Sequence, residues 1–263
     1  MCSASGRHDV VKRRYKTVMQ TGHHSSMKTL LVTGTDTDVG KTWISCLILR
    51  SLRQHQLRVG AYKPACSGAI IAEDGERFWH DVEMLTEACA WQGDKQKICP
   101  QTFDAAVAPN IAAELEGRHI NEQQLASGAK CWEDQADYLL VEGAGGLLCP
   151  LSNSKTVADV AVTLAAPIVI VTANKLGMIN HTLLTVEVAR QRSLHVAAIV
   201  VNNATETAAD ESQASNQRQL RHWLPNIPIV SCQYSATSLV DHVGETFDVR
   251  QLFKFPHRTN QQP

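Results

Sequence analysis

Six apolar, β-rich runs recur along the chain: KTLLVTG (28–34), LRVGAYKP (57–64), DYLLVEGAGG (137–146), PIVIVTANK (167–175), HVAAIVVNN (195–203) and IPIVSC (227–232). Amphipathic stretches at 41–55, 78–92, 121–135, 155–165, 178–193 and 209–224 alternate with them. Near-continuous apolar runs belong to strands buried on both faces, and each gap is long enough for a helical crossover. The pattern predicts an α/β fold: a mostly parallel sheet flanked by helices on both faces. Ligands of such sheets gather beyond the carboxyl ends of the strands, so the residues that follow each run carry the functional argument.

The first of these loops is TGTDTDVGKT, Thr33 to Thr42. A strand, a Gly-containing loop and a helix beginning Gly-Lys-Thr make a phosphate cradle of the P-loop NTPase type. Backbone N–H groups and the helix N-terminus face the phosphates, Lys41 reaches the β and γ oxygens, and the Thr42 hydroxyl can ligate Mg²⁺. The spacing is unusual. Gly34 and Gly40 are separated by five residues, Thr35, Asp36, Thr37, Asp38 and Val39, two of them acidic, where the standard motif has about four between Gly and Gly-Lys.

Two further strand ends add to this. In DYLLVEGAGG the apolar run ends in Glu142, which would lie beside the cradle as a direct or water-mediated Mg²⁺ ligand, with glycines after it that admit a close ligand. In GAYKPACSG, Lys63 and Ser67 put an ammonium and a hydroxyl over the same sheet edge, where a second cation can stabilise a transferring phosphoryl group or an anionic acceptor. Asp81, at the start of the following helical stretch, is either another metal carboxylate or an ordinary N-terminal helix acid.

At 263 residues and 44% apolar composition the chain can bury a large core, and residues 27–263 read as one domain. A formal net charge of −1 gives no basic surface for nucleic acid or an anionic membrane. The eight cysteines form no C-x-x-C pair and no zinc spacing, so they read as reduced core residues of a cytoplasmic protein. The longest apolar run, 160–173, is too short to span a bilayer and contains Pro167. Residues 1–26 are basic and lack the apolar region of a signal peptide. They read as a dispensable or mis-started extension before Met27, with an organellar transit peptide as the alternative.

Taken together, TGTDTDVGKT (33–42), GAYKPACSG (60–68), TFDAAVAPNIAAELEG (102–117), VEGAGGLLCPLS (141–152) and NKLGMINHTLLT (174–185) resemble, in order, the motifs of the dethiobiotin synthetase family. The resemblance covers residues 28 to about 203. It implies a cyclo-ligase that uses ATP and CO₂ to convert 7,8-diaminononanoate to dethiobiotin, ADP and phosphate, through a carbamate and a carbamic-phosphoric anhydride. It further implies that Lys41 and Lys63 stabilise the γ-phosphate and the carbamate, with Thr37 and Ser67 bonding the diamine and carbamate. Thr37 to Thr42, including Asp38, Val39 and Gly40, bind nucleotide, and Thr42, Asp81 and Glu142 hold Mg²⁺. Asn202 matches the family's adenine-reading Asn, with Asn203 next to it. The family works as a homodimer, and Gly177, Met178, Ile179 and Asn180 match the helix start that binds the substrate carboxylate across the interface.

Some positions depart from the family pattern. Asp38 stands where the family has an acid that is usually Glu, Asn110 where a His follows Ala-Pro, and IPIVSCQYSATS lacks the Pro-containing loop that packs on adenine. A partition ATPase of the same superfamily would carry a Lys five residues before the P-loop Lys, but Asp36 holds that position. A chain begun at Met27 is expected to keep full folding and activity, which circular dichroism and phosphate release from ATP would check; loss of either would make the extension structural.

Overall fold

The computed structural model describes residues 27–204 and 211–254. The expectations for residues 1–26 lie outside the described residues. In chain order the strands are β1 (Lys28–Gly34), β2 (Val59–Tyr62), β3 (Ile70–Ile71), β4 (Arg77–Phe78), β5 (Tyr138–Gly146), β6 (Ile168–Ala173), β7 (Val196–Asn202) and β8 (Ile229–Cys232). The helices are α1 (Lys41–Gln54), α2 (His80–Cys89), α3 (Pro109–Leu115), α4 (Glu122–Ser127), α5 (Val157–Thr163), α6 (Met178–Gln191) and α7 (Glu211–Trp223). All six apolar runs form strands of one sheet in the order β2-β5-β1-β6-β7-β8, and every pairing in it is parallel.

Burial explains the parallel arrangement. Leu30, Leu31 and Val32 in β1, Leu139 to Val141 in β5 and Ile168 to Val171 in β6 are consecutive and fully buried, so both sheet faces are covered. Right-handed crossovers carry α1 from β1 toward the β2 edge, and α5, α6 and α7 toward the β8 edge. That places α1 and the other three on opposite faces. Helix α2 packs beside α1, and α7 beside α6. The connections diverge around β1, so the loop after this central strand sits at the point where ligands bind in open α/β sheets.

The structure corrects several details. Residues 121–135 form not one helix but α4 followed by a 3₁₀ turn over Gly128–Trp132. The Tyr62 ring lies where a Gly128 side chain would stand, and its hydroxyl donates to the Gln124 carbonyl at 2.7 Å. Helix α3 and the β3–β4 hairpin are additional. The former is seven residues with Pro109 in its first turn, and the latter two residues a side, both too short to show a period. Five cysteines, at 46, 66, 89, 99 and 232, are buried and free as expected, but Cys131 is exposed and Cys149 only half-buried. No helix among the described residues is long and apolar enough to cross a membrane.

Beneath β2 the core closes on Trp132, which meets the Trp91 ring edge-on at 4.9 Å. A Cβ on Gly60 would lie 2.6 Å from the Trp132 ring. Gly60→Ala is therefore expected to destabilise the protein by about 1–3 kcal/mol through overpacking, read from the urea or thermal midpoint; an unchanged midpoint would show that the indole yields freely.

Candidate active site

The loop between β1 and α1 is held open from below. Gly40 precedes α1 at φ 90°, and α1 has no side-chain cap, so its first N–H groups are free to face an anion. The Asn202 amide at the end of β7 fills the space a Gly40 side chain would need, and donates to the Val39 carbonyl at 3.0 Å. Of the two loop acids, Asp36 turns onto the backbone, accepting from the Thr37 N–H at 2.8 Å. Asp38 adopts φ 53° and is exposed, as is Thr37. The Lys41 ammonium donates to the Asp36 carbonyl at 3.0 Å, so the extra residue supplies a resting seat for the cradle's cation.

Two strands, β2 and β5, and two helix starts, those of α1 and α2, converge beside that lysine. Lys63, just past β2 and 2% exposed, is anchored by its N–H to the Ile98 carbonyl at 2.7 Å. Its Nζ lies 2.6 Å from Glu142 Oε1 and 2.8 Å from Asp81 Oδ2. Thr42 Oγ1 lies 2.9 Å from Asp81 Oδ1 and 3.0 Å from Glu142 Oε1. Five of the expected residues, Lys41, Thr42, Lys63, Asp81 and Glu142, thus form one interacting group. Glu142 differs from expectation in one respect. It lies within β5, which continues to Gly146, because the glycine-rich tail still pairs with the end of β1 at Gly34.

The electrostatics follow from burial and pairing. Burial opposes the charge on Lys63, but the Glu142 and Asp81 carboxylates outweigh it and hold the ammonium well above the ordinary lysine range. Lys41 is pushed below that range by burial and by the neighbouring Lys63. For Asp81, burial is overcome by Lys63 and by the Thr42 hydroxyl, which keep its carboxyl below the usual range. Thr42 has one hydroxyl proton for two carboxylate contacts, and Glu142 Oε2 is buried without a partner. An all-oxygen donor set with an unsatisfied buried oxygen fits a hard divalent cation such as Mg²⁺.

The other expected residues stand apart from this group. The Ser67 hydroxyl donates to the Val107 carbonyl at 2.6 Å, tying the loop after β2 to the segment before α3. Gly177, at φ 90°, precedes α6 without a side-chain cap; Gly177 and Asn180 are exposed, Ile179 half-buried and Met178 buried. Asn202 touches the phosphate loop, but Asn203 is held elsewhere: it accepts from Asn174 at 2.7 Å and donates to the Cys232 carbonyl at 3.1 Å. Asn216 in turn donates to Asn174 at 2.8 Å. This amide relay was missed by sequence reasoning; its only trace is an Asn at each of two strand ends. Asn110, the second residue of α3, has its Oδ1 buried and unpartnered, and exposed Tyr234 lies in the loop that lacks the family's proline.

The AAA domain family model matches residues 28–242. The ATP-dependent dethiobiotin synthetase BioD of Anaeromyxobacter sp. (strain K) is 41% identical over 203 residues, covering 77% of this chain and 88% of that protein. The ATP-dependent dethiobiotin synthetase BioD 1 of Escherichia coli (strain K12) is 39% identical over 178 residues, covering 68% and 79%. Among solved structures, the cell division protein FtsY of Thermotoga maritima aligns with a TM-score of 0.47 at 12% identity, covering 86% of this chain and 67% of that one.

Because the Asp81 carboxyl is held low in the folded protein, its contribution to stability is present above the unfolded carboxylate range and lost as pH falls through the folded value. Asp81→Asn is expected to lower the thermal midpoint by a few degrees near pH 7 and by progressively less at a pH below the usual carboxylate range. A midpoint difference that is the same at both pH values would remove the charge pairing as its cause.

Proposed function

The chain belongs to the dethiobiotin synthetase family, an ATP-dependent ligase family of biotin biosynthesis, and from that premise we propose that the cluster around Lys63 is where it closes the ring. The reaction joins CO₂ to 7,8-diaminononanoate at the cost of ATP, giving dethiobiotin, ADP and phosphate. One amine takes up CO₂ as a carbamate, ATP phosphorylates the carbamate oxygen, and the second amine attacks the carbonyl carbon and expels phosphate. The mixed anhydride is lost if water reaches it, so the site must hold the acceptor in line with the γ-phosphoryl group while excluding solvent.

The observation that carries this reading is the meeting of a buried ammonium, two carboxylates and the cradle threonine within hydrogen-bond distance. Lys41 leaves the Asp36 carbonyl for the β and γ oxygens, and the uncapped start of α1 receives the phosphates. Lys63 stabilises charge on the carbamate and the transferring group. Thr37 and Ser67 bond the diamine and carbamate, and exposed Asp38 offers a carboxylate to an amine. Asn202, beside the loop at the end of β7, receives the adenine edge. Thr42, Asp81 and Glu142 would hold Mg²⁺, which when bound would neutralise charge developing on the transferring phosphoryl group.

The substrate carboxylate is received by the start of α6, Gly177 to Asn180, from a second copy of the chain. An uncapped fourteen-residue helix and the exposed Leu176, Leu184 and Leu148 around it support a homodimer with the site at its interface. Residues 27–263 act as one synthetase domain, and the free cysteines suit a reducing, cytoplasmic setting.

Phosphate release should need ATP, bicarbonate and diaminononanoate together; release that persists without the diamine would sink the proposal. Lys63→Ala is expected to lower kcat by about 10²–10³-fold, the effect of losing one charge-stabilising donor, while the KM for ATP changes much less. An active Lys63→Ala enzyme would remove this side chain from the chemistry.

A further inference from the structure

The oxygen atoms assigned above to the metal are already occupied by a cation of the protein's own. Lys63 Nζ stands between Glu142 Oε1 and Asp81 Oδ2, at 2.6 and 2.8 Å, and Thr42 Oγ1 touches the same two carboxylates. The side chain of Lys63 is 3% exposed and that of Glu142 fully buried, so no solvent stands in for either charge. A divalent cation and an ammonium cannot share this space, because both need the same oxygens and repel each other where screening is weak. The same ammonium cannot serve the acceptor while it bridges Asp81 and Glu142.

We propose that Lys63 is the resident counter-cation of the metal seat, and that Mg²⁺ arriving with the nucleotide displaces it toward the acceptor. The inference rests on the metal assignment made above. Charge balance supplies the order of events. Lys41 and Lys63 cancel Asp81 and Glu142, so the resting group is neutral, and a bare divalent ion would leave it strongly positive inside the protein. A metal accompanied by polyphosphate brings its own negative charge and enters without that penalty. Glu142 Oε2, the buried carboxylate oxygen with no partner, is left for the ion to satisfy as Lys63 moves aside. The flexible four-carbon stem of lysine then swings the ammonium away as one unit. The acceptor's cation is therefore delivered only after the phosphoryl donor is in place, which guards ATP against hydrolysis in the absence of its partner substrates.

The test titrates Mn²⁺ against the full chain by electron paramagnetic resonance, with and without ADP. Wild type is expected to hold Mn²⁺ only with ADP present. Lys63→Met, which removes the ammonium and keeps the stem, should bind Mn²⁺ without nucleotide at least about tenfold more tightly than wild type, within the usual range for coupled sites. Lys63→Arg, which keeps a cation between the carboxylates, should behave as wild type. Nuclear magnetic resonance of the lysine ammonium groups gives a reading on wild type that does not depend on the fate of Lys63→Met. A slowly exchanging Lys63 signal, identified by its loss in Lys63→Arg, should persist with ADP and a chelator and shift or vanish when Mg²⁺ is added. Equal nucleotide-free affinity for Mn²⁺ in wild type and Lys63→Met, or a Lys63 signal unmoved by Mg²⁺ with ADP, overturns the proposal. Failure of wild type to hold Mn²⁺ even with ADP removes the metal assignment itself.

Discussion

The rest of the site depends on one buried ion pair, Lys63 against Glu142. A fully buried carboxylate inside a parallel strand is costly to desolvate, and it is stable there only because an ammonium and a hydroxyl reach it. Breaking such a pair costs about 3–5 kcal/mol, so the two residues fix the relative positions of β2 and β5 as firmly as any apolar contact between them. Asp81 extends the pairing to α2 and Thr42 to α1, and four elements are thereby tied at one point of the sheet. That point lies beside the phosphate loop because β1 is flanked by β5 in the sheet order.

Most of the architecture was legible because its signals are long. Each of the six β runs buries several consecutive residues, which calls for a parallel sheet with helices over both faces. The missed elements carry short or absent signals. Helix α3 makes barely two turns, and the hairpin of β3 and β4 shows exposed isoleucines at 70 and 71 that mimic core residues in a sequence pattern. At the break between α4 and its 3₁₀ turn, Gly128 leaves room for the ring of Tyr62, a residue far away in sequence that no local window contains.

The site was legible as a set of residues rather than as an arrangement. Lys41, Thr42, Lys63, Asp81 and Glu142 all follow or flank strand ends, and the fold brings them together as that position implies. What could not be read was orientation. The acid at 36 looked like a liability in a phosphate loop, yet it is turned into the backbone and its carbonyl holds the Lys41 ammonium. Asn202 and Asn203 are adjacent and chemically identical, and only the pleat of β7 decides which faces the loop and which joins the amide relay with Asn174 and Asn216.

The Asn202 amide lies in the volume that every residue except glycine would claim at position 40. These two positions therefore form an evolutionary lock. Drift at either one alone is blocked, by a clash if Gly40 gains a side chain and by an unsupported Val39 carbonyl if Asn202 is lost. A lineage of this chain that changed the residue at 202 would first have to rebuild the bend of its phosphate loop.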